Sequence, residues 1–405
     1  MTLTTHANDR DVPAVAVVGG GVIGCAVARS LAPDHEVTVF ERRSLACGAT
    51  GLAAGEITVV PSYTDHPAVG SYTIDFFREY SGNRDIEFVE CPSLELVPPE
   101  REGEARRRAA RLSGDGYNVS FLEAAEVKRQ FPEFDLDAFV GAVRQGDTGY
   151  LDPHDLTLSF ADDAREHGGT FRTNEGVDEL LVEDGRVVGV ETTDGKRHCA
   201  ELVVVAAGWR SRRFLSDHLS LPVRPYRTHC AILEVDDSRL AIDDQFPSSW
   251  GPVPRSMVWL PEEHLYCRPD SADTLLVGGC SEPVGDPDLA RSDAATEAFL
   301  ERVATAVPRF LSSFEEASVV DSWTGVDSAT PDTRPIVDAP RETPAGLIVA
   351  TGFHGRGIMT APVAARLVRA LVVGESPPFP TEPFELDRFD DRSSDFPFLS
   401  VSGGD

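Results

Sequence analysis

The sequence predicts an α/β fold with two sheets, one parallel and built on a β-α-β unit, the other mainly antiparallel. Three observations carry this. The stretch "VAVVGGGVIGCAVARSLAPDHEVTVFE", 15–41, runs strand, glycine turn, helix, strand. A second run, "GLIVATGFHGRGIMTAPVAARLVRALVVG" at 346–374, repeats strand, glycine turn and helix. Between them, residues 223–235, 257–269 and 274–279 alternate apolar and polar in the manner of half-buried strands, separated by acidic, proline-rich turns.

The first unit is justified residue by residue. Val15 to Val18 is a short β-branched run, and Val22 to Leu31 is apolar at helical spacing without proline. The glycines therefore sit where a strand hands over to a helix. Gly19, Gly21 and Gly24 form G-x-G-x-x-G: the first permits a tight turn, the second lets a pyrophosphate approach the backbone, the third lets helix and strand pack closely. The helix start offers free N–H groups to an anion. Glu36 to Phe40 reads as the second strand, and Glu41 ends it, roughly 20 residues after the glycines, where a carboxylate can accept from a ribose diol. Together these features predict an adenine dinucleotide. Glu41 argues against NADP, although Arg42 and Arg43 follow it; the fingerprint alone does not choose between NAD and FAD.

Next comes "RRSLACGATGLAAGEI", whose small residues from Ala46 to Gly55 let backbone lie against something flat or charged. Residues 78–140 read as charged helical material, with Arg101 to Leu112 a solvated helix. "GYLDPHDL" marks a boundary, and Thr170 to Thr193 reads as short strands with Gly185 turning a hairpin. "ELVVVAAGW", Glu201 to Trp209, is a buried parallel strand ending in a small-residue turn. The Pro-, Asp- and Ser-rich segment from Glu375 to Asp405 is expected to be loosely ordered.

Composition bounds the rest. With 405 residues and 41% hydrophobic content, the chain has enough core for two domains. No apolar run reaches the ~20 residues of a membrane span, and Met1 to Val12 is polar and short for a signal peptide, so a cytoplasmic protein is expected. Seven scattered cysteines without a C-x-x-C pair suit reduced thiols, and no metal site is expected. The 67 acidic and 37 basic residues give a formal net charge of −30, which excludes nucleic acid as a natural partner. Lys128 and Lys196 are the lysines of the chain, the other basic residues being arginine, and acids recur throughout. This pattern suits a halophilic, salt-rich cytoplasm, because at molar salt the Debye length falls to ~3 Å and self-repulsion is screened.

Three stretches in this order, the N-terminal fingerprint with its small-residue run, "WTGVDSATPDTRPIV" at 323–337 and "GFHGRGIM" at 352–359, resemble the D-amino-acid oxidase (DAO) superfamily of flavoproteins. That group contains glycine oxidase, sarcosine oxidase and dimethylglycine dehydrogenase. The resemblance implies FAD, held non-covalently since residues 321–332 contain no cysteine, in a Rossmann-like domain of the glutathione-reductase type. It also implies a discontinuous layout: FAD-binding segments 13–80, 146–215 and 322–376, an α+β substrate domain from 81–145 and 216–321, and an acidic tail, 377–405. By analogy Gly19, Gly21 and Gly24 hold the pyrophosphate, Glu41 and Arg42 the adenosine ribose, and Thr50, Ala53, Ala54 and Gly55 the pyrophosphate and flavin. Val177 meets the adenine, Ala207 and Gly208 close the strand end above it, and Gly352, His354, Gly355, Arg356, Gly357, Ile358 and Met359 border the flavin ring. The last placement has its own warrant: a helix starting near Gly357 directs positive dipole at a reduced flavin's negative charge.

The activity implied is oxidation of the C–N bond of an amino acid or N-methylated amino acid, by hydride transfer to the flavin and hydrolysis of the imine, with oxygen or an electron carrier as final acceptor. Glycine oxidase-like members carry an arginine for the substrate carboxylate two residues after the Trp-x-Gly glycine; here that place is Asp327. The substitute expected from "HLYCRPD" is Arg268, assisted by Tyr266 on the same strand face or by Tyr226, with Arg227 and Arg255 next in line. The alternatives are an alcohol-oxidising enzyme resembling glycerol-3-phosphate dehydrogenase, an NAD-dependent dehydrogenase, and a non-catalytic flavin-bound protein.

Overall fold

The computed structural model describes residues 13–84, 86–235, 253–290, 292–400 and 402. Strand β1 (Ala14–Val18), helix α1 (Val22–Leu31) and strand β2 (Glu36–Glu41) form the N-terminal unit. They lie in a six-stranded sheet ordered Ile336–Asp338, Leu347–Thr351, Leu202–Val205, β1, β2, Thr170–Thr173, parallel except for the first, edge strand. The β1 run is almost entirely buried, as a strand covered on both faces must be. Two glycines of the fingerprint are required sterically. Gly19 has φ +115°, and a Cβ there would stand 2.4 Å from the Ala206 carbonyl oxygen. A Cβ on Gly24 would stand 1.9 Å from the Gly19 carbonyl oxygen, so this position seats α1 against the loop. On the sheet's face, α1 packs between the helices Pro153–Glu166 and Gly357–Val373. The former begins as "LDPHDL" suggests: the Asp152 carboxylate accepts from the His154 and Asp155 N–H groups, and proline occupies the first turn.

The second sheet has eight strands in the order Ser318–Ala329, Arg224–Glu234, Thr274–Pro283, Leu265–Pro269, Met257–Leu260, Ser93–Val97, Gly141–Gln145, Val119–Glu123. Only the Met257–Leu260/Ser93–Val97 pairing is parallel among them. A small sheet, Glu56–Thr58, Thr148–Tyr150, Val89–Glu90, lies between the two large ones in the chain's path and carries Glu56. The hairpin Val177–Glu183/Arg186–Thr192 turns at Asp184 and Gly185, both at positive φ, the geometry of a two-residue turn matched to strand twist.

Four expectations are corrected. The run 257–269 is two strands, because Pro261 ends the first and His264, at φ +53°, reverses the chain. Residues 78–140 hold three strands as well as helices; Ser93–Val97 was hidden by Glu95, which is buried in the strand and paired with Arg108. Strand Ser318–Ala329 runs through residue 322, so the chain leaves the eight-stranded sheet near Ala329. The acidic tail is packed rather than loose: Phe379, Phe384 and Leu386 are buried, and Arg388 pairs with Asp332.

Candidate active site

A cavity of about 710 Å³ runs from the end of β2, past the glycine loop, to the underside of the eight-stranded sheet. At its first end Glu41 and Arg42 lie with Val177. The Glu41 carboxylate also braces the loop: one oxygen accepts from the Gly20 N–H at 2.8 Å, the other from the Arg43 N–H at 2.9 Å. Gly19, Gly21, Ala207 and Gly208 line the next stretch. Gly21 caps α1 without a side-chain bond of its own, leaving the helix start turned to the cavity, while Thr50 Oγ1 accepts from the Val22 N–H at 3.1 Å. Gly24 does not line it, since its place is under the loop.

Further along, Ala53, Ala54 and Gly55 form one wall and Gly355 to Met359 another. Helix Gly357–Val373 starts there with Arg356 at its cap and no side-chain cap bond, so a second helix N-terminus faces the same space. The half-buried Arg356 guanidinium donates to the Thr333 carbonyl and hydroxyl at 2.9 Å, and burial lowers its pKa. Gly352 and His354 do not line the cavity. His354 is buried; its Nδ1 accepts from the Thr330 N–H at 3.3 Å and its Nε2–H donates to the Leu399 carbonyl at 2.8 Å. Burial pushes its pKa down to about 4, so the ring is neutral and ties the turn to the C-terminal segment.

Beyond lies a chamber walled by Tyr226, Tyr266, Trp259, Asp327, Glu56 and Gln145. Tyr226 is buried and Tyr266 half-buried, and desolvation holds both phenols well above their ordinary pKa. Asp327 accepts from the Gly355 N–H at 2.7 Å and lies 3.5 Å from the Tyr226 hydroxyl; burial raises its pKa. Its carboxylate thus anchors the turn before the second helix.

Arg268 does not reach the chamber. Its Nε–H donates to the Ala54 carbonyl at 2.5 Å, one terminal nitrogen donates to the Pro269 carbonyl at 2.7 Å and pairs with Asp270 at 3.0 Å, and the guanidinium lies over the Tyr150 ring. The expected role as carboxylate anchor does not fit this placement, because those donors are spent behind the Ala54 wall. Strand alternation puts Arg268 and Tyr266 on one face, yet Tyr266 lines the cavity while the Arg268 guanidinium is held by the Ala54 and Pro269 carbonyls and Asp270. Arg227 pairs with Glu282, and neither it nor Arg255 lines the cavity. Sequence reasoning missed Glu56, Gln145 and Trp259; the signal available for Glu56 was an acid directly after the small-residue run.

The cavity fits an adenine dinucleotide: two helix N-termini face it, a carboxylate closes the end of β2, and the glycines keep side chains out of the loop. The family model described as FAD dependent oxidoreductase (DAO) matches residues 14–371. The chain belongs to this family of FAD-dependent oxidoreductases. It is 30% identical to a glycine oxidase of Geobacillus kaustophilus over 399 residues, covering 95% of this chain and 98% of the relative. It is 24% identical over 390 residues to a sarcosine oxidase subunit beta of an Arthrobacter species, covering 93% and 91%. The crystal structure of glycine oxidase from Geobacillus kaustophilus superposes with a TM-score of 0.79 at 25% identity, covering 94% of this chain and all (100%) of that one. The chain is thus an FAD-dependent oxidoreductase, and FAD rather than NAD is its dinucleotide.

Proposed function

We propose that this chain oxidises the carbon–nitrogen bond of an amino acid or N-methylated amino acid. The observation that carries the reading is that one cavity joins the dinucleotide cradle to the chamber under the antiparallel sheet, so a small molecule held there meets the cofactor's reactive end. When bound, FAD supplies the acceptor for the hydride leaving the carbon beside nitrogen. The residues do the rest. Glu41 and Arg42 receive the adenosine ribose, the turns at Gly19–Gly21 and Gly355–Gly357 turn positive helix ends on phosphate and flavin, and Ala53 to Gly55 leave room for a flat ring. Arg268 acts as a positioning residue that holds the Ala54 backbone. Tyr226 and Tyr266 contact the substrate, and the sheet above them excludes water, which protects the imine until release and hydrolysis.

Relatives named for glycine and for sarcosine oxidation support a substrate of this class. A phosphorylated alcohol fits less well, because the chamber offers Glu56 and Asp327 with Arg356 as the lining guanidinium nearby, a poor receptor for a dianion. Non-covalent attachment is supported by the place of Cys47, the lining cysteine, whose Sγ lies 3.8 Å from Glu41 at the adenosine end. Oxygen or an electron carrier reoxidises the flavin, and no helix among the described residues is long and apolar enough to cross a membrane. The reading is tested by dye reduction with sarcosine, dimethylglycine, glycine, proline and D-amino acids, against glycerol 3-phosphate. Dye reduction by at least one of the amines, lost in Tyr226→Phe or Tyr266→Phe with FAD retained, is expected. Reduction by the phosphorylated alcohol alone would overturn it.

A further inference from the structure

The chamber contains two buried acceptors without partners. Glu56 Oε1 and Gln145 Oε1 are both shielded from solvent, accept no hydrogen bond, and belong to residues lining the cavity. Gln145 is only 5% exposed, at the end of strand Gly141–Gln145. A buried orphan acceptor costs on the order of 1–3 kcal/mol, so two in one wall are costly unless a ligand donates to them. The chemistry they ask for is N–H.

We propose that Glu56 receives the substrate's nitrogen as an ammonium ion and takes its proton, while Gln145 accepts a second hydrogen bond from the substrate. In that step the N–H bond breaks, an O–H bond forms on the Glu56 carboxylate, and nitrogen keeps the electron pair that loss of hydride from the neighbouring carbon requires. The inference rests on the amine-oxidising reading and adds to it a base. The charged and titratable groups around Glu56 are Arg268, which favours its ionised form, and Tyr266, Cys91, Cys230 and Cys267, all neutral when buried. Burial pushes the Glu56 pKa up to about 8, within reach of an ammonium's proton in the working pH range.

The test uses FAD-loaded protein and two probes at constant ionic strength, dimethylammonium and acetate, read by perturbation of the flavin absorption band and by proton release into weakly buffered indicator. For wild type, dimethylammonium is expected to bind with release of close to one proton below pH 8, and to bind more tightly as pH rises through 8. In Glu56→Gln its Kd is expected to rise about 10- to 100-fold, with proton release abolished and acetate binding no weaker. Glu56→Asp is expected to keep the pH dependence at reduced affinity, which separates the role from a folding defect. Cation binding and proton release unchanged in Glu56→Gln, or acetate bound in preference to dimethylammonium by wild type, overturn the proposal. Failure of the purified protein to hold FAD would instead overturn the underlying reading.

Discussion

At the scale of single residues, the site is built from side chains that serve the loop as much as the ligand. Glu41 shows this best, since its carboxylate accepts from Gly20 and Arg43 while lining the cavity. Replacing it by alanine removes the proposed ribose acceptor and also leaves the Gly20 N–H without its partner. Glu41→Ala is therefore expected to cost ~1.5–3 kcal/mol of FAD affinity, about a 10- to 100-fold rise in Kd on titrating apoprotein with FAD. An unchanged Kd would reduce Glu41 to a strand-end brace. Glu56 makes a second prediction, with its sign set by burial. Its folded pKa, raised to about 8, exceeds the unfolded value near 4.3, so the folded apoprotein binds the proton more tightly. The stability this contributes is complete below about pH 4 and is lost as pH rises through 8. Melting curves of apoprotein from pH 5 to 9 are expected to show that loss, and Glu56→Gln to flatten it; equal slopes in both proteins would contradict the assignment.

At the scale of elements, the C-terminal segment packs behind the chamber, against Tyr226 and His354. Phe398 stacks on His354 with centroids 5.6 Å apart and lies 5.1 Å from Tyr226; Arg224 donates to the Phe396 carbonyl at 2.6 Å, and Trp259 to the Ser402 carbonyl at 3.2 Å. The sequence concealed this, because a Pro-, Asp- and Ser-rich composition describes solvation and says nothing of where Phe379, Phe384 and Phe398 pack. The β-α-β unit was legible for the opposite reason: its steric demands, at Gly19 and Gly24, are local and leave one residue type possible. Arg268 lies outside the lining although Tyr266 is in it, because alternation fixes the face of a Cα and not the end of a four-bond side chain. The dock of this segment carries a pH signature. His354 must stay neutral to accept from Thr330, and its pKa lies near 4 when docked, against 6.5 when free. Docking is then fully stable above pH 6.5 and weakens as pH falls toward 4. Amide exchange of residues 396–400 is expected to accelerate over that window and to lose the dependence in His354→Gln; exchange that ignores pH would contradict the tie.

At the scale of the whole molecule, two sheets of different kind frame the cavity, the parallel one presenting strand ends and helix starts to it, the antiparallel one roofing its chamber. The excess of 67 acids over 37 bases spreads over this frame, and surface arginines pair with only part of it, as Arg392 does with Glu342 and Asp387. Since screening relieves the remainder, Tm is expected to climb strongly with KCl up to molar concentration; a flat response would leave the acidity without a physical role. The central claim, that FAD in this chain oxidises an amine, meets its most direct test in anaerobic titration of the purified yellow protein. The account predicts about one acid-extractable FAD per chain and full bleaching of the flavin band by an amino acid or N-methyl amino acid, with one imine-derived carbonyl formed per flavin. A flavin that bleaches with dithionite but with none of these amines, or a chain that carries no FAD, would contradict it.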